Sequence, residues 1–575
     1  MRSAFRLVVA VVAVVLTLAL LPSAAGAQVT ADQSSRMDRL FTSPNHATES
    51  DFAFWGDHAF AGYYTGDAGS PAGTGPRGGF RIFDVSDPAN PELIRNFRCD
   101  GLQNDPFVWD TDDNGIADLM LLAVDRTMTR PECGAPRSMN PTGGAFHADP
   151  NGWEGVRVFT MSDNPRRPFR SIEQVAAVYS DCGAHTITGW TGNVDQGELI
   201  VYVSSYPLNP GPTCGVGPAS LTTPAHQNTS NPYDGDKVVN DPLHRQIQVI
   251  RVPLDNPEDS EEIAAPKVVY PGDPDGMQEW GEKGLASPTL ERAAVACHDI
   301  VTHMEHNVAG AACAEQGQVW EINPETGIPD TENPMVVGDD EVSSGGGGPG
   351  IDFVIPGAVD FFHSVMFDNA GEVVNWVDES FGTGCPTMTT YQPRPWNPGG
   401  GTHKTGSMFF SSMEGEFLSE FNVGDVRPNP AAGEYCSSHM GMTITGIEED
   451  ILVNAWYTGG VDVIDFTDPE NLEEIAYYDP VQNSGTWSAY PYTGPLFKRG
   501  RGVPVYASDG VTNNALGQGM VVYRARVEQP RRRNLMPHLN PQTMDHEMMG
   551  GGNGDDDDDD DDRGKGRGGG RNDDD

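Results

Sequence analysis

The feature that most restricts this chain is a short unit that keeps returning along it. About six residues alternate apolar with polar, and the run stops in Ser/Thr-Asp-Pro. Two copies are plain: Gly79-Phe80-Arg81-Ile82-Phe83-Asp84-Val85-Ser86-Asp87-Pro88 and Gly460-Val461-Asp462-Val463-Ile464-Asp465-Phe466-Thr467-Asp468-Pro469. Alternation of period two is a strand with one face toward a core. The Asp caps backbone N–H groups of the turn and the Pro fixes its φ. A second short strand follows each copy, at residues 92–97 and 473–478. Weaker copies stand at residues 155–159, 246–252, 318–322, 416–421 and 519–525, completing a set of seven. Their spacing, roughly 50 to 100 residues, holds four strands and a loop. One such unit cannot bury its apolar face alone, so the units must stack. The expectation is an all-β, seven-bladed β-propeller over residues 28–528.

Composition agrees. The 575 residues include 68 Gly and 45 Pro, which disfavours a helical bundle and favours short strands joined by turns. With 36 Lys+Arg against 83 Asp+Glu, the formal charge is −47. So acidic a surface repels phosphates and excludes general nucleic-acid binding.

The N-terminus reads as a secretory signal. Arg2 and Arg6 precede an apolar run at residues 7–21 broken only by Thr17, and Ala25-Gly26-Ala27 is an A-x-A cleavage site. Cleavage after Ala27 is expected. The run falls short of the roughly 20 residues that span a bilayer. No later stretch is long enough, so the mature chain is expected to have no transmembrane segment and to be secreted or cell-surface associated. In that oxidising setting the eight cysteines are expected to pair. None forms a C-x-x-C, and near-neighbour contacts in a repeat fold favour Cys99–Cys133, Cys182–Cys214, Cys297–Cys313 and Cys385–Cys436.

Each unit opens alike. His46, His185, His298, His363 and His439 each stand just before a short apolar strand. A second strand follows, as at residues 59–64, 199–203, 372–376 and 451–456. The first strand of a blade lines the central channel, so these histidines are expected around one rim of the axis. From residue 529 the periodicity stops. Eight consecutive Asp at residues 555–562 precede a Gly/Arg run, and residues 529–575 are expected to be a disordered acidic tail that keeps the protein soluble or sequesters calcium.

With these features in hand, the chain resembles the LVIVD-repeat family of secreted bacterial and archaeal proteins over roughly residues 45–527. The most specific segments are Cys297-His298-Asp299-Ile300 with Ala311-Ala312-Cys313 and Gly317-Gln318-Val319-Trp320; Phe362-His363-Ser364-Val365-Met366-Phe367; Ala455-Trp456-Tyr457-Thr458-Gly459 running into the second plain copy; and Trp487-Ser488-Ala489-Tyr490. The resemblance implies a β-propeller and brings no activity with it. The seventh unit departs from the pattern at Pro491-Tyr492-Thr493-Gly494-Pro495.

Three clusters could carry chemistry. The first is the axial ring of His46, His185, His298, His363 and His439 with Asp299 beside it. Neutral imidazoles converging on a point suit copper, zinc or iron, while the plainer role is a blade-capping hydrogen bond repeated because the blade is repeated. The second is His298, His303 and His306 with Glu305, which strand alternation sends to opposite faces. The third, Asp110-Thr111-Asp112-Asp113-Asn114-Gly115-Ile116-Ala117-Asp118, resembles a calcium loop. Its ligands would be Asp110, Asp112, Asn114, Asp118 and the Ile116 carbonyl, though it is short and has no terminal Glu, and a polar hairpin turn accounts for it equally.

Hydrolase signatures are missing. There is no G-x-S-x-G or H-E-x-x-H, and Lys404-Thr405-Gly406 has no S-x-x-K to go with it. The Gly-rich residues 343–350 lack the Lys-Ser/Thr of a phosphate loop. Asn228-Thr229-Ser230 is a glycosylation sequon. The first functional reading is a non-enzymatic extracellular binding or surface scaffold, stabilised by calcium, for a protein, glycan or small ligand. The alternative is a secreted metal-dependent oxidoreductase with a His-ligated ion on the axis. What separates them is whether His185, His298, His363 and His439 come within reach of one ion.

Overall fold

In the computed structural model, residues 32–43, 47–67, 78–134, 153–180, 183–205, 246–268, 297–313, 316–339, 353–355, 362–379, 406–426, 437–480, 485–495, 501–509, 519–530, 535 and 537–545 are described. Their strands form seven sheets, the seven blades of a β-propeller. Blade one is built from Ala47–Trp55, His58–Asp67, Gly79–Asp84 and Glu92–Arg98, each antiparallel to the next. Blades two to six repeat this four-strand meander, beginning at Gln103–Trp109, Thr186–Trp190, Asp299–His303, Phe362–Phe367 and Gly441–Thr443. Consecutive first strands touch around the ring and line its axis.

The recurring Asp-Pro strand is the third strand of its blade, as in Gly79–Asp84 and Val461–Asp465. The turn chemistry is what the residues dictate. The carboxylates of Asp84 and Asp87 accept N–H bonds from Ser86 and Ala89, and those of Asp465 and Asp468 from Thr467 and Glu470. One copy differs. Residues 416–421 form the fourth strand of blade five, Phe417–Phe421, while the third is Met408–Ser412. Met408-Phe409-Phe410 is apolar on consecutive residues because that strand is buried on both faces, so it shows no alternation to find.

Blade seven shows how the ring closes. Thr486–Pro491, Val503–Asp509 and Gly519–Ala525 supply three strands, and the fourth, Met37–Thr42, comes from the other end of the chain. It pairs antiparallel with Gly519–Ala525, Met37 opposite Ala525. Side chains tie adjacent blades at the axis. The hydroxyls of Thr186, Ser364 and Ser488 donate to the carbonyls of His298, His439 and Ser50 at 3.1, 2.7 and 3.0 Å. Between blades the sheets bury large aromatics, among them Trp190, Trp320, Trp376 and Trp456. Truncating one of these to Ala costs about 3–5 kcal/mol. Two of the four expected disulfides, Cys99–Cys133 and Cys297–Cys313, are present. Cys182, Cys214, Cys385 and Cys436 lie outside the described residues, as do residues 1–31 with the signal segment. Among the described residues no helix is long and apolar enough to cross a membrane.

The expectation of a tail without structure from residue 529 is corrected in part. Residues 537–545 run as a strap across one end of the channel. His538–Leu539 pairs with Phe54 and Trp55 of blade one, and Thr543–Met544 pairs in parallel with Thr302 and His303 of blade four. Between them the Asn540 amide accepts from the Val108 N–H and donates to the Val108 carbonyl, both at 2.9 Å. The Thr543 hydroxyl donates to the Gly189 carbonyl at 2.9 Å. The segment shows no strand period because it borrows the exposed ends of other blades' first strands instead of forming a hairpin of its own. Leu539 and Met544 are buried. The poly-Asp run lies outside the described residues.

Candidate metal centre

All first strands run in the same sense, and the strap meets their last residues. Their first residues therefore form the opposite mouth of the channel, and this is where the histidines stand. His185, His298, His363 and His439, from blades three to six, form an arc of touching rings. Consecutive centroids are 4.2, 3.8 and 3.9 Å apart. All four residues are buried, and the arc ends on Tyr457 and Trp487, whose rings lie 4.7 and 4.3 Å from His439.

The arc does not extend around the whole ring. In blade one the equivalent place belongs to Ser50, whose carbonyl takes the bond from Ser488 that His298 and His439 take from their neighbours. His46 lies four residues earlier, outside the described residues. In blade seven the place is Trp487. Asp299 is fully buried one residue farther into the channel. Its carboxyl is held well above the ordinary range by burial and by the negative charge of Asp51. It is not one of the groups that gather with the imidazoles.

Two carboxylates that the sequence reading missed complete the cluster. One ligand atom each from His363, Glu379 and His439 lie within 4.8 Å of one another. Glu379 Oε2 is 3.6 Å from His363 Nε2, and Glu379 Oε1 is 4.0 Å from His439 Nε2. Asp125 Oδ2 is 3.2 Å from His185 Nδ1. The Tyr457 hydroxyl donates to Glu379 Oε1, and Tyr457 holds this position with a φ of +41°, in the left-handed region that disfavours a bulky residue. Glu379, Asp125 and Tyr457 share a signal. Glu379 and Tyr457 come one and two residues after the end of their blade's second strand, and Asp125 comes directly after Val124, which pairs with Gln103 at the start of the first strand.

The electrostatics favour neutral rings. Burial, reinforced by the neighbouring imidazoles, holds His298 and His363 well below the ordinary histidine range. Burial pushes His439 down to about 3. A neutral imidazole has one nitrogen lone pair, the form that ligates a metal. For His439 the atom is set. Nδ1 lies 2.6 Å from the Trp487 carbonyl, which can only accept, so Nδ1 carries the proton and Nε2 faces Glu379. His363, His439 and Glu379 make a two-imidazole, one-carboxylate set with His298 stacked against it, a donor set suited to a transition metal.

The other two clusters gather differently. His303 lies at the strap end, with His306 at 4.9 Å between ring centroids and Glu305 at 3.6 Å, remote from His298 at the far end of the same strand. In the 110–118 loop, Asp112 and Asp118 gather with Asp163, a residue outside the expected set. Asp110 instead accepts the N–H groups of Asn114 and Gly115 at 3.2 and 2.6 Å. The Asn114 amide oxygen accepts the Ile116 N–H, and its NH₂ donates to Asp163. Asp118 also accepts the Thr111 N–H at 2.8 Å, so much of the expected calcium shell is committed to holding the turn.

No family model matches this chain, and no curated protein matches it. Solved structures similar to it are propellers of low identity. The Dos1 propeller is 9% identical over 84% of this chain and 81% of its own, with a TM-score of 0.40. The RRP9 WD40 repeats are 8% identical over 87% and 99%, with a TM-score of 0.40. Chaetomium thermophilum Sqt1, bound to the N-terminus of ribosomal protein L10, is 10% identical over 85% and 91%, with a TM-score of 0.41. Likeness at this level assigns no residue a role.

Proposed function

We propose that this chain is a secreted metal-binding β-propeller, with one divalent transition-metal ion held at the channel mouth by His363, His439 and Glu379, joined by His298. The observation that carries the reading is the convergence of three buried ligand groups within 4.8 Å, from two different blades. A buried Glu facing two neutral imidazoles has a poor partner in them. A cation placed between all three satisfies the carboxylate and the lone pairs together.

The convergence also bears on the two readings of the sequence. It moves the metal-dependent oxidoreductase ahead of the binding scaffold, because a carboxylate with two or three imidazoles suits iron, copper or zinc. Such an ion would supply a Lewis-acid or electron-transfer centre. The chain's own residues have separate tasks. The Trp487 carbonyl sets the His439 tautomer, Tyr457 orients Glu379, and Asp125 holds His185 at the edge of the arc, where its imidazole can move a proton. The strap crosses the opposite end over the first strands of blades one to four, which leaves the histidine mouth as the side from which a small molecule or side chain would enter. Secretion rests on the signal-like N-terminus, and the two disulfides are compatible with it.

Cobalt(II) titration of metal-stripped protein tests the reading. Saturable visible d–d bands at one equivalent, altered in Glu379→Gln and lost in His363→Ala/His439→Ala, are expected. Bands unchanged in both variants would overturn it.

A further inference from the structure

A cavity lies at the other end of the molecule from the histidine cluster, on the strap face, at the seam where blade seven meets blade one. Its volume is about 290 Å³, at the small end of ligand sites. It does not depend on the metal centre.

Its walls come from the turn after the first strand of blade one, from the Asp-Pro turn at Val85, and from blade seven. Leu40, Val85, Pro88 and Pro504 give an apolar lining, with the rings of Tyr492 and Tyr506 on one side. Tyr492 is committed, donating its hydroxyl to the Gly56 and Pro537 carbonyls at 2.7 and 2.9 Å. Tyr506 is not. It is 1% exposed, lines the cavity, and its hydroxyl has no hydrogen-bond partner among the described residues.

The charges are placed in two groups. Arg501 and Arg524 both line the cavity. Arg524 spends one terminal nitrogen on Asp38 at 2.7 Å, while its buried Nε has no partner. Arg501 is exposed and makes no ion pair among the described residues. Asp57 and Asp87 line the same cavity. Asp87 is occupied by its own turn, accepting from Ala89 N–H and the Asn90 side chain at 3.1 and 2.8 Å. Asp57 has no cationic partner among the described residues, and burial with the charge of Asp84 raises its pKa.

We infer that this seam cavity binds a small zwitterion with an apolar side chain, an amino acid in chemical class. Its carboxylate would meet the Arg501 guanidinium and the Tyr506 hydroxyl beside Arg524, its ammonium Asp57, and its side chain the Tyr492 and Tyr506 rings. A simple anion would leave Asp57 unmatched, and a simple amine would leave Arg501 and a phenol unmatched.

Calorimetric titration of the full mature protein with three probes tests this. L-Phenylalanine carries both charges, 3-phenylpropionate only the carboxylate, and phenethylamine only the ammonium. Saturable binding of phenylalanine, with each half-probe weaker by about tenfold or more, is the expected result, because each half-probe lacks one charge-assisted pairing. Tyr506→Phe and Arg501→Gln should each weaken phenylalanine about tenfold with an unchanged melting temperature, while His363→Ala leaves it alone. Absence of saturable binding by phenylalanine overturns the proposal. So does a half-probe that binds as well as phenylalanine, or binding that both cavity variants leave intact.

Discussion

His439 and Trp487 are joined by a bond that decides how a metal can bind: Nδ1 of the imidazole sits 2.6 Å from the Trp487 carbonyl oxygen. The backbone of blade seven thereby chooses the tautomer of a ring in blade six. Nitrogen-15 NMR of the imidazoles should show His439 as the Nδ1–H tautomer in the stripped protein. Zinc should then shift its Nε2 resonance while the Nδ1 proton remains. A shift at Nδ1 would mean that the carbonyl contact breaks and that the site is arranged in another way.

Tyr457 acts through Glu379. Tyr457→Phe removes the hydroxyl bond and keeps the ring against His439. Loss of an outer partner of a ligand weakens metal affinity by about 10- to 100-fold. Competition with a chromophoric chelator would measure this, and an affinity equal to wild type would remove Tyr457 from the site.

The fold was legible where burial was one-sided and the turns had their own chemistry. The Asp87-Pro88 and Asp468-Pro469 turns located two third strands outright, and residues 416–421 were misplaced by one strand because Met408–Ser412, buried on both faces, has no alternation. The four described ring histidines were legible as residues preceding apolar strands. Glu379, Asp125 and Tyr457 were not, since they come near the ring only through hairpin pairing, and their one signal is a place toward the end of a second strand. The strap was invisible for a related reason. Asn540 and Thr543 bond to Val108 and Gly189, more than 300 residues away in sequence.

The strap should matter to stability. Asn540→Ala removes two bonds to the Val108 backbone and leaves both Val108 groups to find other partners. At about 1 kcal/mol for each bond, the expected cost is about 2 kcal/mol, read as a shift in the urea midpoint. Truncation after Asn534 should cost more. A truncated protein as stable as the full chain would show that the strap rests on the propeller without supporting it.

Strap docking should weaken in acid. His538 stacks on Trp55 at 4.3 Å between centroids, and burial there lowers its pKa from 6.5 to about 4, against the opposing charge of Asp545. Undocked, the ring takes up protons as the pH falls through 6.5, and docked it does so only near 4. Protons therefore favour the undocked state, and docking is strongest above 6.5 and is lost progressively toward 4. At pH 5 the loss is about 2 kcal/mol. Protease cleavage within residues 537–545 should rise from pH 7 to pH 5, and His538→Leu should flatten the change. Cleavage that is independent of pH in wild type would contradict the assignment.

Cys297–Cys313 anchors the start of blade four's first strand directly beside His298. Closing its loop, with a separation of 16 residues, is worth about 3 kcal/mol. Cys297→Ser/Cys313→Ser should lose about that much stability, measured by urea unfolding, and should bind zinc more weakly because His298 is less fixed. Unchanged zinc affinity in a destabilised variant would remove His298 from the ligand set.

The most direct test of the central claim is metal content by mass spectrometry, on the protein purified without an affinity tag. Wild type should carry close to one equivalent of a single transition metal, and His363→Ala/Glu379→Gln should carry almost none while remaining folded. Wild type without a transition metal, or a double variant that keeps it, would contradict the account.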